Sequence, residues 1–343
     1  MTAMRSQQCP LSLSLSLNTC WLDLVGSFVG HIGPGALFIL LGAWWAYNVC
    51  LRAAVTASNN LSFSSRSWYR FPVKRFQLVE PCLKIIFPVI ALSMELLLDH
   101  LNEPAPYQSM FCPKGTTRAG EFAGDNLNNW QHASSYPAVI ASGLVDLLSH
   151  YVELPPGVVR AFSSLWIGIM AFLMFVHEKS EALDKMVHWL LAVSMAVAFF
   201  FQAAEVRYPR SSIVSMGKAA STVFVGAWLV EIGVVMYTGR AAWTNEASRA
   251  AAAMLAPIFF CMIFLAICVG MLALYVVLVA LQKRGLVPSS LVGTCVEGGK
   301  GDDDADAPRH RAMVGGGKHW FHRDCETGNL MTERSFDSDS AHN

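Results

Sequence analysis

Charge is what this sequence has least of. Asp, Glu, Lys and Arg together make up 15% of its 343 residues, against roughly 25% in an ordinary soluble domain. That is too little polar surface for a typical water-soluble enzyme of this length, and far too little for a disordered chain. Neither sign dominates, with 25 basic residues against 25 acidic ones. No basic excess points to nucleic acid, which is therefore not an expected partner. The nine cysteines contain no CxxC pair, which argues against paired-cysteine zinc modules and redox motifs. Cys20 and Cys112 are the two that could share an oxidising compartment. Also missing are a Gly-Lys-Ser/Thr phosphate loop, a dinucleotide fingerprint, a Gly-x-Ser-x-Gly elbow, an HExxH metalloprotease motif and any internal repeat.

What is abundant is apolar sequence, 54% of the chain, gathered into long blocks. A bilayer core about 30 Å thick needs roughly 20 mostly apolar helical residues. Seven blocks qualify: 35–51, 76–98, 130–149, 158–176, 185–206, 213–237 and 251–281. The third is interrupted by Pro137 and Asp146, and the seventh is long enough to tilt. Pro81, Pro88 and Pro257 fall inside blocks, where a proline is expected to kink a helix. The expected fold is all-α, a polytopic membrane protein built as a seven-transmembrane-helix bundle over 26–284. A disordered N-terminal extension over 1–25, or a wrongly chosen start, precedes it, and a disordered cytosolic tail over 285–343, rich in Gly, Asp and Ser, follows.

Loop charge orients the bundle. Arg52, Arg66, Arg70, Lys74 and Arg75 follow the first block with no acid among them, Arg207 and Arg210 follow the fifth, and Lys283 and Arg284 follow the seventh. With seven crossings all three places share one side. The N-terminus is then outside or lumenal and the C-terminus cytosolic, which puts the sequon Asn60-Leu61-Ser62 in the cytosol.

Ionisable groups in membrane segments are expensive, so each is a functional candidate. Projected onto this topology, His31, Glu95, His132, His177, His188 and Glu231 all fall toward the outer face, with Asp99, His100, Glu178, Glu181 and Asp184 flanking them. Imidazole and carboxylate suit zinc or iron, and several from separate helices would make a metal site. His31, His132, His177 and His188 are the candidate ligands, with Glu95 or Glu231 as acid/base. Asp184 precedes His188 by one helical turn and could orient it as a hydrogen-bond partner. The same groups could relay protons, or simply face headgroups and water. A second group lies toward the cytosol: Glu80, Lys84, Asp146, Glu205 and Lys218. Here structural pairing is the expectation, Glu80 with Lys84 and Glu205 with Lys218 or Arg207. The tail motif His319-Trp320-Phe321-His322-Arg323-Asp324-Cys325 lacks the paired-cysteine half of a zinc site. Trp44-Trp45, Trp166, Trp189 and Trp228 are expected at the interface or in packing.

Gly26-Ser27-Phe28-Val29-Gly30-His31, continuing through Pro34-Gly35 to Gly42-Ala43-Trp44-Trp45, resembles the opening of the transmembrane protein 45 family. Glu80 and Glu95, Trp130-x-His132, Leu183-Asp184-x-x-Val187-His188, Glu205, and Gly226-x-Trp228 before Tyr237 match that family in order and spacing. The resemblance spans about 26–281. Gln131 stands where the family has a first histidine, His177-Glu178 replaces a His-x-His, and Cys261 falls at a histidine position, which the resemblance makes a further candidate metal ligand. The resemblance implies a multi-pass protein of endomembranes or the plasma membrane, linked with trafficking and secretion and with no established reaction. Three readings follow. The first is a non-catalytic membrane protein acting through lipids, protein partners or a second copy of itself. The second is a metal-dependent intramembrane lipid hydrolase or transferase at the outer leaflet. The third is an ion or proton transporter, which would need a continuous polar path from Glu231 to Glu205.

Overall fold

The computed structural model describes residues 28–98, 109–177, 179–238 and 245–287. Cys20, Asp99, His100, Glu178, the 319–325 motif and both terminal extensions lie outside the described residues.

The described chain is helical. Its elements are α1 (Phe28–Ser58), a 3₁₀ turn (Lys74–Phe76), α2 (Val79–Ser93) continued by a π turn (Met94–Leu98), α3 (Gly124–Ala133), α4 (Tyr136–Tyr151), α5 (Val158–Phe175), α6 (Ala182–Arg207), α7 (Ser212–Tyr237) and α8 (Glu246–Lys283). Among the described residues, β pairing is confined to one isolated bridge between Phe111 and Phe122. Five helices, α1, α5, α6, α7 and α8, are long and apolar enough to cross a membrane. α2 and α4 have 15 and 16 residues and fall short of that length by themselves.

Two sequence expectations change. The block at 130–149 is divided, because α3 stops at Ala133 and α4 starts afresh at Tyr136 with Pro137 in its first turn, where no helical N–H bond is lost. Pro81 likewise lies in the first turn of α2 and so does not kink it, whereas Pro34, Pro88 and Pro257 are interior to their helices.

Helix starts carry local signals. Glu181 caps α6 by accepting the Asp184 N–H at 2.9 Å, and Ser211 caps α7 by accepting from Val214 at 3.3 Å. α1 and α7 pack most closely because glycines meet where they cross. A Cβ on Gly226 would come within 2.6 Å of the Gly35 carbonyl oxygen and the Ile39 nitrogen, so only hydrogen fits there. α6 and α7 supply most of the central core, with Trp228, Ile232, Val225, Leu191 and Met195 packed against Trp166 and Ile167 of α5 and Phe38 of α1. α8 is peripheral. Its Met262, Leu265, Val269, Leu272 and Val276 point outward, a face that suits hydrocarbon and not water.

Candidate functional site

Antiparallel threading puts the start of α1, the end of α2, α3, the end of α5, the start of α6 and the end of α7 at one end of the bundle. Each brings a polar side chain, and most of the predicted outer residues do meet there. The Tyr136 hydroxyl donates to Glu95 Oε1 at 3.2 Å, and His132 Nδ1 stands 3.6 Å from the same oxygen. The His132 and His177 rings are 4.9 Å apart between centroids, His177 and His188 are 5.6 Å apart, and His188 and His31 are 5.8 Å apart. His31 in turn lies 5.3 Å from the Tyr237 ring. The result is a row of four imidazoles with Glu95 near one end and Asp184 beside the other. His31, Glu95, His177 and His188 are buried, and His132 is partly exposed. The π turn carrying Glu95 widens the helix locally and places this carboxylate against Tyr136 and His132.

The hydrogen bonds decide the tautomers. Gln131 Nε2 donates to the Leu173 carbonyl at 3.2 Å, so its Oε1 faces His177 Nδ1 at 2.6 Å and that nitrogen must carry the proton. His188 Nδ1 lies 2.8 Å from Asp184 Oδ1 and 2.9 Å from the Asp184 carbonyl, both acceptors, so it too is the protonated nitrogen. Burial, reinforced by His132, Lys179 and His188, pushes the His177 pKa down to about 3, keeping that ring neutral. Its Nε2 is then a bare lone pair, buried and without a partner among the described residues, and so is Glu95 Oε2. No three His, Cys, Asp or Glu side chains among the described residues already surround one point as in a finished metal site. Glu231 is half-buried on α7, short of Tyr237, and Cys261 is an exposed free thiol on α8 that takes no part in the row. Cys112, between α2 and α3, is in a disulfide.

The inner group is a charge network around one tryptophan. Lys84 Nζ donates to Asp146 at 2.7 Å and stands 3.7 Å from Glu80, so its closer partner is Asp146 and not the neighbour on its own helix. Glu80 accepts from Trp45 Nε1 at 2.8 Å and from the Tyr69 N–H at 2.9 Å. Lys218 donates to Glu205 at 2.6 Å and to the Arg66 carbonyl at 2.9 Å. Both ammonium groups lie over the Trp45 ring, at 5.2 and 4.9 Å. Trp45 is wholly buried and therefore no interface anchor. The loop after α1 folds into this end, with Arg52 and Arg160 donating to the Ser64 and Ser65 carbonyls at 3.1 and 3.0 Å. Sequence reasoning missed Tyr136 and gave no role to Gln131, and it left Trp45 between the interface and packing. A tryptophan three positions beyond the buried Gly42 gave no hint that two lysines would converge on it.

Between the two polar groups the large buried side chains are apolar, while Ser194, Ser221 and Thr222 hydrogen-bond to carbonyls of their own helices. On α1 Phe38 lies between His31 and Trp45, on α6 Met195 lies between His188 and Glu205, and on α7 Val225 and Trp228 lie between Lys218 and Tyr237; all are buried in one cluster. Beside this layer a cleft of about 250 Å³ opens between α1, α2, α4 and α5, walled by Leu37, Leu41, Phe87, Val139 and Met170. Leu40 and Leu83 form its exposed rim; Tyr69, Glu80 and Lys84 lie at the end nearer Trp45 and Pro34 and Tyr136 at the end nearer the histidines. Among the described residues, no histidine lines it.

An all-helical, multi-span membrane protein is the class that these helices and their outward apolar faces define. Comparison with known proteins agrees. Residues 156–276, which cover α5, α6, α7 and most of α8, match a family described as "Family of unknown function (DUF716)". The chain is also similar to transmembrane epididymal protein 1A of Mus musculus, 22% identical over 250 residues, covering 69% of this chain and 76% of that one. Transmembrane epididymal protein 1 of Rattus norvegicus is 22% identical over 245 residues, with the same shares covered.

Proposed function

We propose that this chain is a seven-span membrane protein that holds the hydrocarbon chain of a bilayer lipid in the α1–α2–α4–α5 cleft and acts through lipid and protein partners without chemistry of its own. The cleft carries the reading. Its walls are apolar, its rim is formed by outward-facing leucines on helices that read as membrane-spanning, and the nearby charged groups are already bonded to one another. In a bilayer, what lies against Leu40 and Leu83 is hydrocarbon. The resemblance to the transmembrane protein 45 family adds membrane trafficking or secretion as the setting.

Other observations support the seven spans and their orientation. α2 with its π turn and α4 pack against each other, α4 packs against α5, and the Trp45–Glu80 hydrogen bond ties α2 to α1; a tilted or locally thinned bilayer accommodates short spans. The basic residues cluster at the ends away from the histidines. The Cys112 disulfide fits an oxidising compartment on the histidine side. The transporter reading lacks a polar path across the Phe38–Trp166–Trp228 layer. A lipid hydrolase would need the scissile bond at the histidine row, and among the described residues no histidine lines the cleft.

The test is photocrosslinking of the full chain in bilayers containing phosphatidylcholine with a diazirine on its acyl chain. Labels are expected at Leu37, Phe87, Val139 and Met170 well above those at Met262 and Leu265, which report ordinary lipid contact on α8. Val139→Trp fills the cleft and removes the first set while leaving the second. Cleft labelling no stronger than that of α8, or untouched by Val139→Trp, rejects the reading.

A further inference from the structure

We infer that the outer imidazole row is a binding site for one divalent transition-metal ion of the zinc class, taken by the Nε2 atoms of His132, His177 and His188. The inference is independent of the lipid cleft. Three observations carry it. First, His177 and His188 present the same face. Each has its Nδ1 proton directed to an oxygen, of Gln131 and of Asp184, which leaves Nε2 as the free lone pair. His132 repeats the arrangement more loosely, with Nδ1 3.6 Å from Glu95. An oxygen behind Nδ1 that fixes the tautomer and the ring direction is the arrangement that surrounds metal-bound histidines.

Second, the row contains buried acceptors with nothing to accept from. His177 Nε2 and Glu95 Oε2 have no hydrogen-bond partner among the described residues, although both residues are more than nine-tenths buried. A buried lone pair left unpaired costs free energy, and a cation is the ligand that satisfies acceptors while bringing no acceptor of its own. Third, the charge is right. Glu95 and Asp184 place two carboxylates among the rings, and among the described residues their ion-pair partners are histidines alone. A dipositive ion balances them.

Consecutive ring spacings along the row match those of rings that share an ion. Two imidazoles that share a tetrahedral ion through bonds of about 2.0–2.1 Å have ring centres roughly 5 Å apart. Consecutive rings here are 4.9 and 5.6 Å apart. The three nitrogens do not yet point at a single centre. His132 is the ring free to turn, having the longest polar contact and the most exposed side chain of the three. His31 stands next to His188 and is placed to accept or hand on the ion. An all-nitrogen set favours zinc, copper, nickel or iron over calcium or magnesium.

The experiment uses the full chain, purified without a histidine tag, equilibrated with zinc chloride, desalted and analysed for metal, with cobalt substitution read by its visible spectrum. Wild type is expected to retain one ion per chain and to show the strong bands of tetrahedral cobalt. His177→Ala/His188→Ala loses both, and His150→Ala, at the other end of the bundle, keeps both. Gln131→Leu removes only the oxygen behind His177 and is expected to weaken binding by about 10–100-fold while leaving the fold intact. Size-exclusion elution of each variant reports folding. Folded wild type that takes up no ion overturns the inference. So does an ion retained by the double variant, or one lost equally from His150→Ala. Crosslinking at the cleft is read separately and is unaffected by any of these outcomes.

Discussion

Lys218→Met tests the inner network most severely. Lys218 is fully buried, donates to Glu205 at 2.6 Å and to the Arg66 carbonyl at 2.9 Å, and lies 4.9 Å from the Trp45 ring centre. Methionine fills nearly the same volume, so the change is chiefly electrostatic. It leaves Glu205, itself buried, with only the Ser215 hydroxyl at 2.6 Å. Removing one partner of a buried ion pair costs about 3–5 kcal/mol, because the other charge stays behind without compensation. For a domain of this size each kcal/mol corresponds to roughly 2–4 °C, so the melting midpoint is expected to fall by about 6–20 °C. The assay is the fraction of detergent-solubilised protein that still elutes as a folded species after heating. Lys218→Met/Glu205→Gln, which strands no charge, is expected to recover most of the loss, a coupling characteristic of contacting residues. An unchanged midpoint in the single variant, or a double variant no better than the single, would refute this account of the network.

Two further predictions concern packing and topology. Gly226→Ala puts a Cβ within 2.6 Å of α1 backbone atoms that cannot rotate away; a loss of about 1–3 kcal/mol is expected, against none for Gly270→Ala, where no atom lies within 4 Å. Equal thermal midpoints for the two variants would contradict the α1–α7 contact. Asn60 is exposed and followed by Leu61-Ser62, yet in the proposed orientation it stays unglycosylated, whereas Lys114→Asn, which creates an acceptor ahead of Gly115-Thr116, gains a glycan seen as an endoglycosidase-sensitive mobility shift. Modification at Asn60 would invert the topology.

Hydropathy is a sum along the chain, so the sequence located α5, α6, α7 and α8 to within about five residues and α1 only at its middle, since α1 runs seven residues further at each end than the apolar block. Alternation of direction then placed His31, Glu95, His132, His177 and His188 at one end and Glu80, Lys84, Glu205 and Lys218 at the other. Helix interruption was harder to see, since the break at Ser134 and Ser135 has a weak local signal and Pro137 serves as a first-turn residue. Pairing was legible only where partners share a helix or adjoining helix ends: Asp184 with His188, and Glu205 with Lys218. Lys84 bonds Asp146 more closely than Glu80, and Trp45 lies under two lysines; these depend on which faces of α1, α2, α4 and α7 meet. Nothing local encodes that choice. It is set by close packing, in which Gly35 and Gly226 let two backbones touch and so bring Trp45 and Lys218 together. The same packing turned scattered histidines into a row, and Gln131 on α3 reaches the His177 ring only when the helix ends are assembled, whereas Asp184 orients His188 within α6 alone. Composition and periodicity chose the solvent and the elements; the tertiary structure chose the neighbours, and with them the chemistry open to each side chain.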